Sequence, residues 1–223
     1  MQNLGAEHEN LDQKAYQVIK RMIVERQLLP GEKIPQEKLA HELGISRTPL
    51  VNALKYLEKE KLVEAKPRRG FFVRLFTKKE MVHIFELREV LEGLAARRAA
   101  AVITDEEIRA LRNFFRQFDP AAPIADLKAY SREDRGFHHF VIEIGAKEFL
   151  RGILENYNII SFSYQVVSSE GLVRSPNDTI HEHLAVIDAI CRRDPQTAEE
   201  LMRRHFKASA ASLCQDRARL QPV

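Results

Sequence analysis

The sequence predicts a mainly α protein in two domains, a winged helix-turn-helix over residues 1–76 and an all-α six-helix bundle over residues 77–223. Three observations lead there. Apolar residues recur at three- and four-residue spacing almost throughout, strand-like runs occur only between Leu62 and Phe76, and positive charge is concentrated in the first third. Residues 1–76 hold 14 Lys and Arg against 10 Asp and Glu, whereas the remainder holds 21 against 22. That imbalance points to an anionic partner for the first domain.

Leu11, Ala15, Val18, Ile19, Met22 and Ile23 form one face of a first helix, which ends before the turn signal Pro30-Gly31. A short helix over Glu37–Leu43 presents Leu39, Ala40 and Leu43 and stops at Gly44, suited to the position after a helix. Ser46 is a good N-cap for the next helix, which tolerates Pro49 in its first turn and carries Leu50, Ala53, Leu54 and Leu57 to about Lys61. Two strands, Leu62–Ala65 and Gly70–Phe76, flank the basic turn Lys66-Pro67-Arg68-Arg69-Gly70 and make the wing.

Beyond Thr77, helical patterns occupy roughly 77–102, 105–118, 124–145, 148–167, 178–193 and 196–218. Thr77-Lys-Lys-Glu80 and Thr104-Asp-Glu-Glu107 have the capping-box pattern, and Pro195 sits where a helix-starting proline belongs. No apolar run approaches the roughly 18 residues of a membrane span, so no membrane partner is expected. The N-terminus lacks the order of a secretory signal, and Cys191 and Cys214 make no CxxC, which together favour the cytoplasm.

A helix-turn-helix sets the start of its second helix in the major groove of double-stranded DNA. Here that start is Ser46-Arg47-Thr48-Pro49: Arg47 suits a bidentate guanine contact, and the hydroxyls of Ser46 and Thr48 suit phosphate oxygens. Arg68 and Arg69 on the wing would reach a neighbouring backbone or minor groove. The segments Pro30-Gly31-Glu-Lys-Ile34, Leu39-Ala40-x-x-Leu43-Gly44-Ile45-Ser46-Arg47-Thr48-Pro49, Ala53-Leu54-x-x-Leu57 and Arg69-Gly70 resemble the winged helix-turn-helix of the GntR family of bacterial transcription regulators. The resemblance implies DNA-binding roles for Ser46, Arg47, Thr48 and Gly70. Val51-Asn52 stand where members usually carry Arg-Glu, so an arginine commonly used on DNA is absent, with Asn52 or Lys55 as candidate substitutes. Gln36 replaces a usual glutamate.

In the bundle, Asp134 and His138 are four residues apart and share one helical face, a two-point chelate that a surface ion pair would mimic. His183 and His205 lie among apolar residues that would turn their rings inward. Three imidazoles and a carboxylate can hold a borderline divalent metal such as zinc, nickel or manganese. His139 and His181 fall on other faces. The segments Leu87-Arg88-Glu-Val-Leu91-Glu92, Asp134-x-x-Phe137-His138, Glu182-His183-x-x-Val186-Ile187-Asp188-Ala189-Ile190 and Met202-Arg-Arg-His205 resemble the FadR C-terminal domain, or FCD, family. That resemblance implies metal ligation by Asp134, His138, His183 and His205 and binding of a small carboxylate effector by Arg88. Without it, Arg88 reads as a surface arginine paired with Glu92 at i+4. Six helices suggest the VanR-like subgroup, and Lys147 departs from the usual Asn before the fourth helix.

The expectation is a ligand-responsive repressor that binds operator DNA as a homodimer, since two-fold operators need two recognition helices. The alternative is a metal-dependent enzyme using the Asp/His3 site. Against it, no nucleophile pair is evident and Glu182 points elsewhere on its helix than a water-activating base should.

Overall fold

The computed structural model describes residues 11–146, 150–154 and 172–215. The chain divides into two compact units, Met1–Leu75 and Phe76–Val223.

The first unit contains α1 (Leu11–Val24), α2 (Gln36–Glu42), α3 (Arg47–Lys59), β1 (Val63–Lys66) and β2 (Gly70–Val73). Its core forms where the apolar stripes meet: Ile19 and Ile23 of α1 are buried with Leu50, Ala53, Leu54 and Leu57 of α3. Fully burying each of these leucine and isoleucine side chains is worth about 1.5–3 kcal/mol. The strands pair antiparallel, Val63 with Val73 and Lys66 with Gly70. Residues 31–34 border the other edge of β2 through Gly31 N to Val73 O and Ile34 N to Phe71 O, both 2.9 Å. Both strands differ from the sequence expectation: β1 begins one residue later, and β2 stops at Val73. Gly70 has φ +97°, a backbone conformation that favours glycine at the wing turn, and a Cβ there would press only on the movable end of Gln36, 3.0 Å away.

The second unit contains α4 (Lys78–Val102), α5 (Asp105–Leu111), α6 (Leu127–Gly145), α7 (Pro176–Cys191) and α8 (Pro195–Gln215), with residues 150–154 also helical. The remainder of the helix expected over 148–167, and Lys147, lie outside the described residues. Both capping boxes form, and Pro176 and Pro195 open α7 and α8. α4 packs along α8 and α6. Small residues on α4 let α6 approach so closely that a Cβ on Gly145 would fall 1.9 Å from Ala95 O, a position only glycine can occupy. Arg193 ties the α7–α8 turn to the α4–α5 turn through Ile103 O and, at 2.7 Å, Asp105 Oδ1.

One expected helix is broken. Residues 105–118 read as continuous, but α5 ends at Leu111 and Phe115 takes φ +64°. The cause is tertiary: Phe115 N donates to Glu133 Oε1 of α6 at 2.9 Å, and the Phe115 ring is buried against Tyr130, Phe137 and His183. Burial of a large aromatic outweighs the one to three kcal/mol, roughly, of a strained backbone.

Candidate metal centre and nucleic-acid interface

In the first unit, the start of α3, the start of α2 and the wing turn surround a groove of about 450 Å³. Lys33, Lys38, Arg47, Arg68 and Arg69 line it against a single carboxylate, Glu37. Arg47 is exposed as the first residue of α3. Ser46 holds the N-cap position with extended backbone, yet its side chain makes no capping bond, which leaves the hydroxyl for an outside acceptor. Thr48 is exposed on the next position. Arg68 reaches the wing tip with φ +61°, and the Arg69 guanidinium lies over the Phe72 ring at 5.5 Å. Gln36 lines the same groove, where a neutral amide avoids the repulsion a glutamate would exert on a phosphate. Asn52 is held by α1: its Nδ2 donates to Asp12 Oδ2 at 2.9 Å. Lys55 is exposed.

In the second unit, α6, α7 and α8 each contribute one histidine to a single point. One ligand atom from each of His138, His183 and His205 lies within 4.8 Å of the others, and all three side chains are buried. Asp134 adds an oxygen, its Oδ1 standing 3.3 Å from His183 Nε2. Each ring is oriented through its other nitrogen. His138 Nδ1 meets Glu92 Oε2 at 2.7 Å, His205 Nδ1 meets Glu182 Oε2 at 2.8 Å, and His183 Nδ1 meets the Tyr130 hydroxyl at 3.2 Å.

The protons follow from these partners. Carboxylates only accept, so Nδ1 of His138 and of His205 carries the hydrogen. For His183, Tyr130 stands between Thr179 Oγ1 at 2.8 Å and Nδ1 at 3.2 Å; the tautomer that suits a metal has Nδ1 donating to Tyr130 and Tyr130 donating to Thr179. In that tautomer every Nε2 is a lone pair, as metal ligation demands. His183 Nε2 is buried with no hydrogen-bond partner.

Burial, reinforced by the electrostatic influence of the nearby imidazoles and Arg174, holds His183 well below the ordinary imidazole range. Burial likewise lowers His205, against the pull of its bond to Glu182. Both rings are therefore neutral near pH 7. Burial works against the Glu182 carboxylate, but hydrogen bonds from His205 and Arg174 prevail and bring its pKa to about 2. Glu92 is fully buried and still lowered, because burial is outweighed by Arg88 and His138.

The structure brings Asp134, His138, His183 and His205 together, and Arg88 lines the same small cavity, of about 30 Å³, as Asp134, His138 and His205. Arg88 is buried, not a surface residue: its Nε donates to Glu92 Oε1 at 2.7 Å and its guanidinium lies 4.4 Å from the Phe206 ring centre. His139 and His181 are exposed, as their helix faces predict. Glu182 corrects the expectation, since it does reach the cluster, by orienting His205. Glu92, expected only as the i+4 partner of Arg88, also orients His138, and Tyr130 meets His183. Their signal in sequence is weak: an acidic residue one turn beyond Arg88, another beside His183, and a tyrosine one turn before Asp134.

Residues 83–208 match the FCD domain, and residues 11–73 match the family described as bacterial regulatory proteins, gntR family. The chain is 26% identical over 192 residues to the uncharacterized HTH-type transcriptional regulator YdhC of Bacillus subtilis (strain 168), covering 86% of this chain and 85% of that one. It is 24% identical over 207 residues to the HTH-type transcriptional repressor RspR of Escherichia coli (strain K12), covering 93% and 90%. The solved structure of E. coli McbR/YncC has the same fold, with a TM-score of 0.72, 18% identity and coverage of 93% and 98%. These relatives are named as regulators, which decides between the two functional classes in favour of DNA-binding transcription regulation over catalysis. The two family matches together span the winged unit and most of the helical one, and so the chain belongs to the gntR family of bacterial regulatory proteins, in the branch that carries an FCD domain.

Proposed function

We propose that the helical unit is a metal-dependent sensor for a small carboxylate, and that the chain acts as a cytoplasmic homodimeric repressor on operator DNA. Asp134, His138, His183 and His205 hold one divalent ion of the zinc, nickel or manganese type. The observation that carries this reading is His183 Nε2, a buried nitrogen without a hydrogen-bond partner, facing two further imidazoles whose Nδ1 atoms are already committed. An isolated buried polar atom costs about 1–3 kcal/mol unless something binds it, and here two further imidazoles converge on the same point. A nitrogen-rich set with one carboxylate suits borderline metals and not calcium or magnesium. When bound, the metal supplies a positive centre that attracts an anionic effector.

Arg88 is assigned to the effector's free oxygen atoms. It hydrogen-bonds only through Nε among the described residues, which leaves the planar pair of terminal nitrogens for a carboxylate. A cavity of about 30 Å³ has room for an ion, so an effector would displace lining side chains such as Arg174 or Phe206 as it enters. That displacement gives effector binding a way to alter the unit's packing. The VanR-like subgroup stays part of this proposal, as does repression, which RspR's name states of that protein alone.

Calorimetric titration of zinc into chelator-stripped protein tests the metal assignment. One site per chain in the wild type, lost in His183→Ala, supports it. No binding heat in the wild type, or an unchanged isotherm in the variant, contradicts it. A thermal-shift screen of small carboxylates on zinc-loaded protein then tests the effector, with a ligand at 100 times its Kd adding about 2.7 kcal/mol in the wild type and less in Arg88→Ala.

A further inference from the structure

The face that α3 offers to DNA is narrower than its sequence suggests. α1 holds one flank: Asn52 is bonded to Asp12, and Glu60 accepts from Tyr16 at 2.6 Å and from Lys20 at 3.0 Å. A second flank, Leu50, Ala53, Leu54 and Leu57, is buried in the core. The side chains left between Arg47 and Lys55 are Arg47, Thr48, Val51 and Lys55, a single strip at three- and four-residue spacing. Arg47 also lines the cationic groove, so the strip continues the surface suited to a DNA backbone. Val51 is its one apolar member, half-buried and one turn beyond Arg47.

We propose that Val51 is a specificity-determining residue that packs on the C5-methyl group of an operator thymine. The first turns of a recognition helix reach base edges in the major groove. Among the groups displayed there, the thymine methyl is the apolar one, and an isopropyl side chain has nothing to offer the donors and acceptors of other bases. A guanine, cytosine or adenine edge beneath Val51 would lose its water without gaining a hydrogen bond, so discrimination comes from rejection as well as attraction. The charged neighbours keep separate duties: Arg47 for a guanine or phosphate and Lys55 for the backbone.

This inference rests on the DNA-binding assignment, and the test separates the two. Operators are selected from random duplexes with the full chain, and each thymine in the selected site is then replaced by deoxyuridine, which removes only the methyl group. At one thymine position the change should weaken wild-type binding about four-fold, the worth of burying one methyl group. Val51→Ala, which suits a helix interior, should bind the thymine operator with that same loss and be indifferent to the deoxyuridine change. Its salt dependence should match the wild type, because no phosphate contact is lost. Val51→Arg should shift the preference at that base pair toward guanine. If duplexes are enriched but no thymine position distinguishes wild type from Val51→Ala, the Val51 role is overturned and DNA binding stands. If no duplex is enriched, both are overturned.

Discussion

Charge is used in opposite ways in the two units. On the winged unit, Arg47, Arg68 and Arg69 are exposed around an open groove, and each can be removed without stranding another charge. In the helical unit, Arg88, Glu92 and His138 are buried in one series, Arg88 on Glu92 and Glu92 on His138, so removing Glu92 strands both neighbours and removing either neighbour leaves one Glu92 oxygen without its donor. The first arrangement suits a surface that must sum over many phosphates. The second suits a site whose geometry must be fixed before its ligand arrives.

The sharpest way to break this contrast is at Glu92. Glu92→Ala should cost about 3–5 kcal/mol in urea unfolding, because it leaves two buried cationic or donor groups without an acceptor. Glu92→Gln, which keeps an acceptor for one of them, should cost less. A loss below about 1 kcal/mol for Glu92→Ala would place Arg88 and His138 in a more hydrated setting than their burial indicates.

Metal removal should come next in size. Stripping the ion with a chelator should lower stability by about 2.7 kcal/mol relative to zinc at 100 times its Kd, with the change confined to the helical unit's unfolding transition. An equal shift in Asp134→Ala/His183→Ala protein would assign the effect to another site.

On the winged unit, single changes should be milder and should separate by type. Arg47→Ala should cost roughly 1–3 kcal/mol of operator binding and relax the sequence preference. Arg69→Ala should weaken specific and non-specific DNA together and reduce the salt slope by about one. Unchanged operator affinity in Arg47→Ala would remove it from the interface.

The smallest effect concerns pH. Burial and the bond to Glu60 raise the Tyr16 hydroxyl above its ordinary range, and bonds to Tyr16 and Glu60 raise Lys20 despite partial burial. Both groups release protons more readily when unfolded. Their contribution is therefore fully present below about pH 10 and is lost as pH rises through the folded values. Unfolding of the winged unit at pH 8 and pH 11 should show a loss of about 1 kcal/mol or less beyond that of Lys20→Met, and an identical slope in the two proteins would contradict the triad's role.

Most of the fold could be read from the chain because its signals are local. The capping boxes at Thr77 and Thr104, Pro195 at a helix start and the alternation around Arg68 each decide their own neighbourhood. The end of α5 could not be read that way. Nothing near Leu111 announces it, and the break depends on Glu133 and the aromatic cluster around Phe115, partners that only tertiary packing brings near. The site divides similarly. Asp134 and His138 share a helix and announce themselves, whereas the residues that orient the rings, Glu92, Tyr130 and Glu182, come from α4, α6 and α7 and carry no spacing of their own relative to the histidines they serve. Asn52 shows a related case, a residue whose bond to Asp12 of α1 no local spacing announces.

The central claim is that three imidazoles present Nε2 to one ion. X-ray absorption at the zinc edge of the loaded full chain tests it most directly. The predicted result is a first shell with three imidazole nitrogens at about 2.0–2.1 Å, completed by oxygen, and loss of one imidazole in His205→Ala. A shell without imidazole scattering, or one containing sulfur, would contradict it.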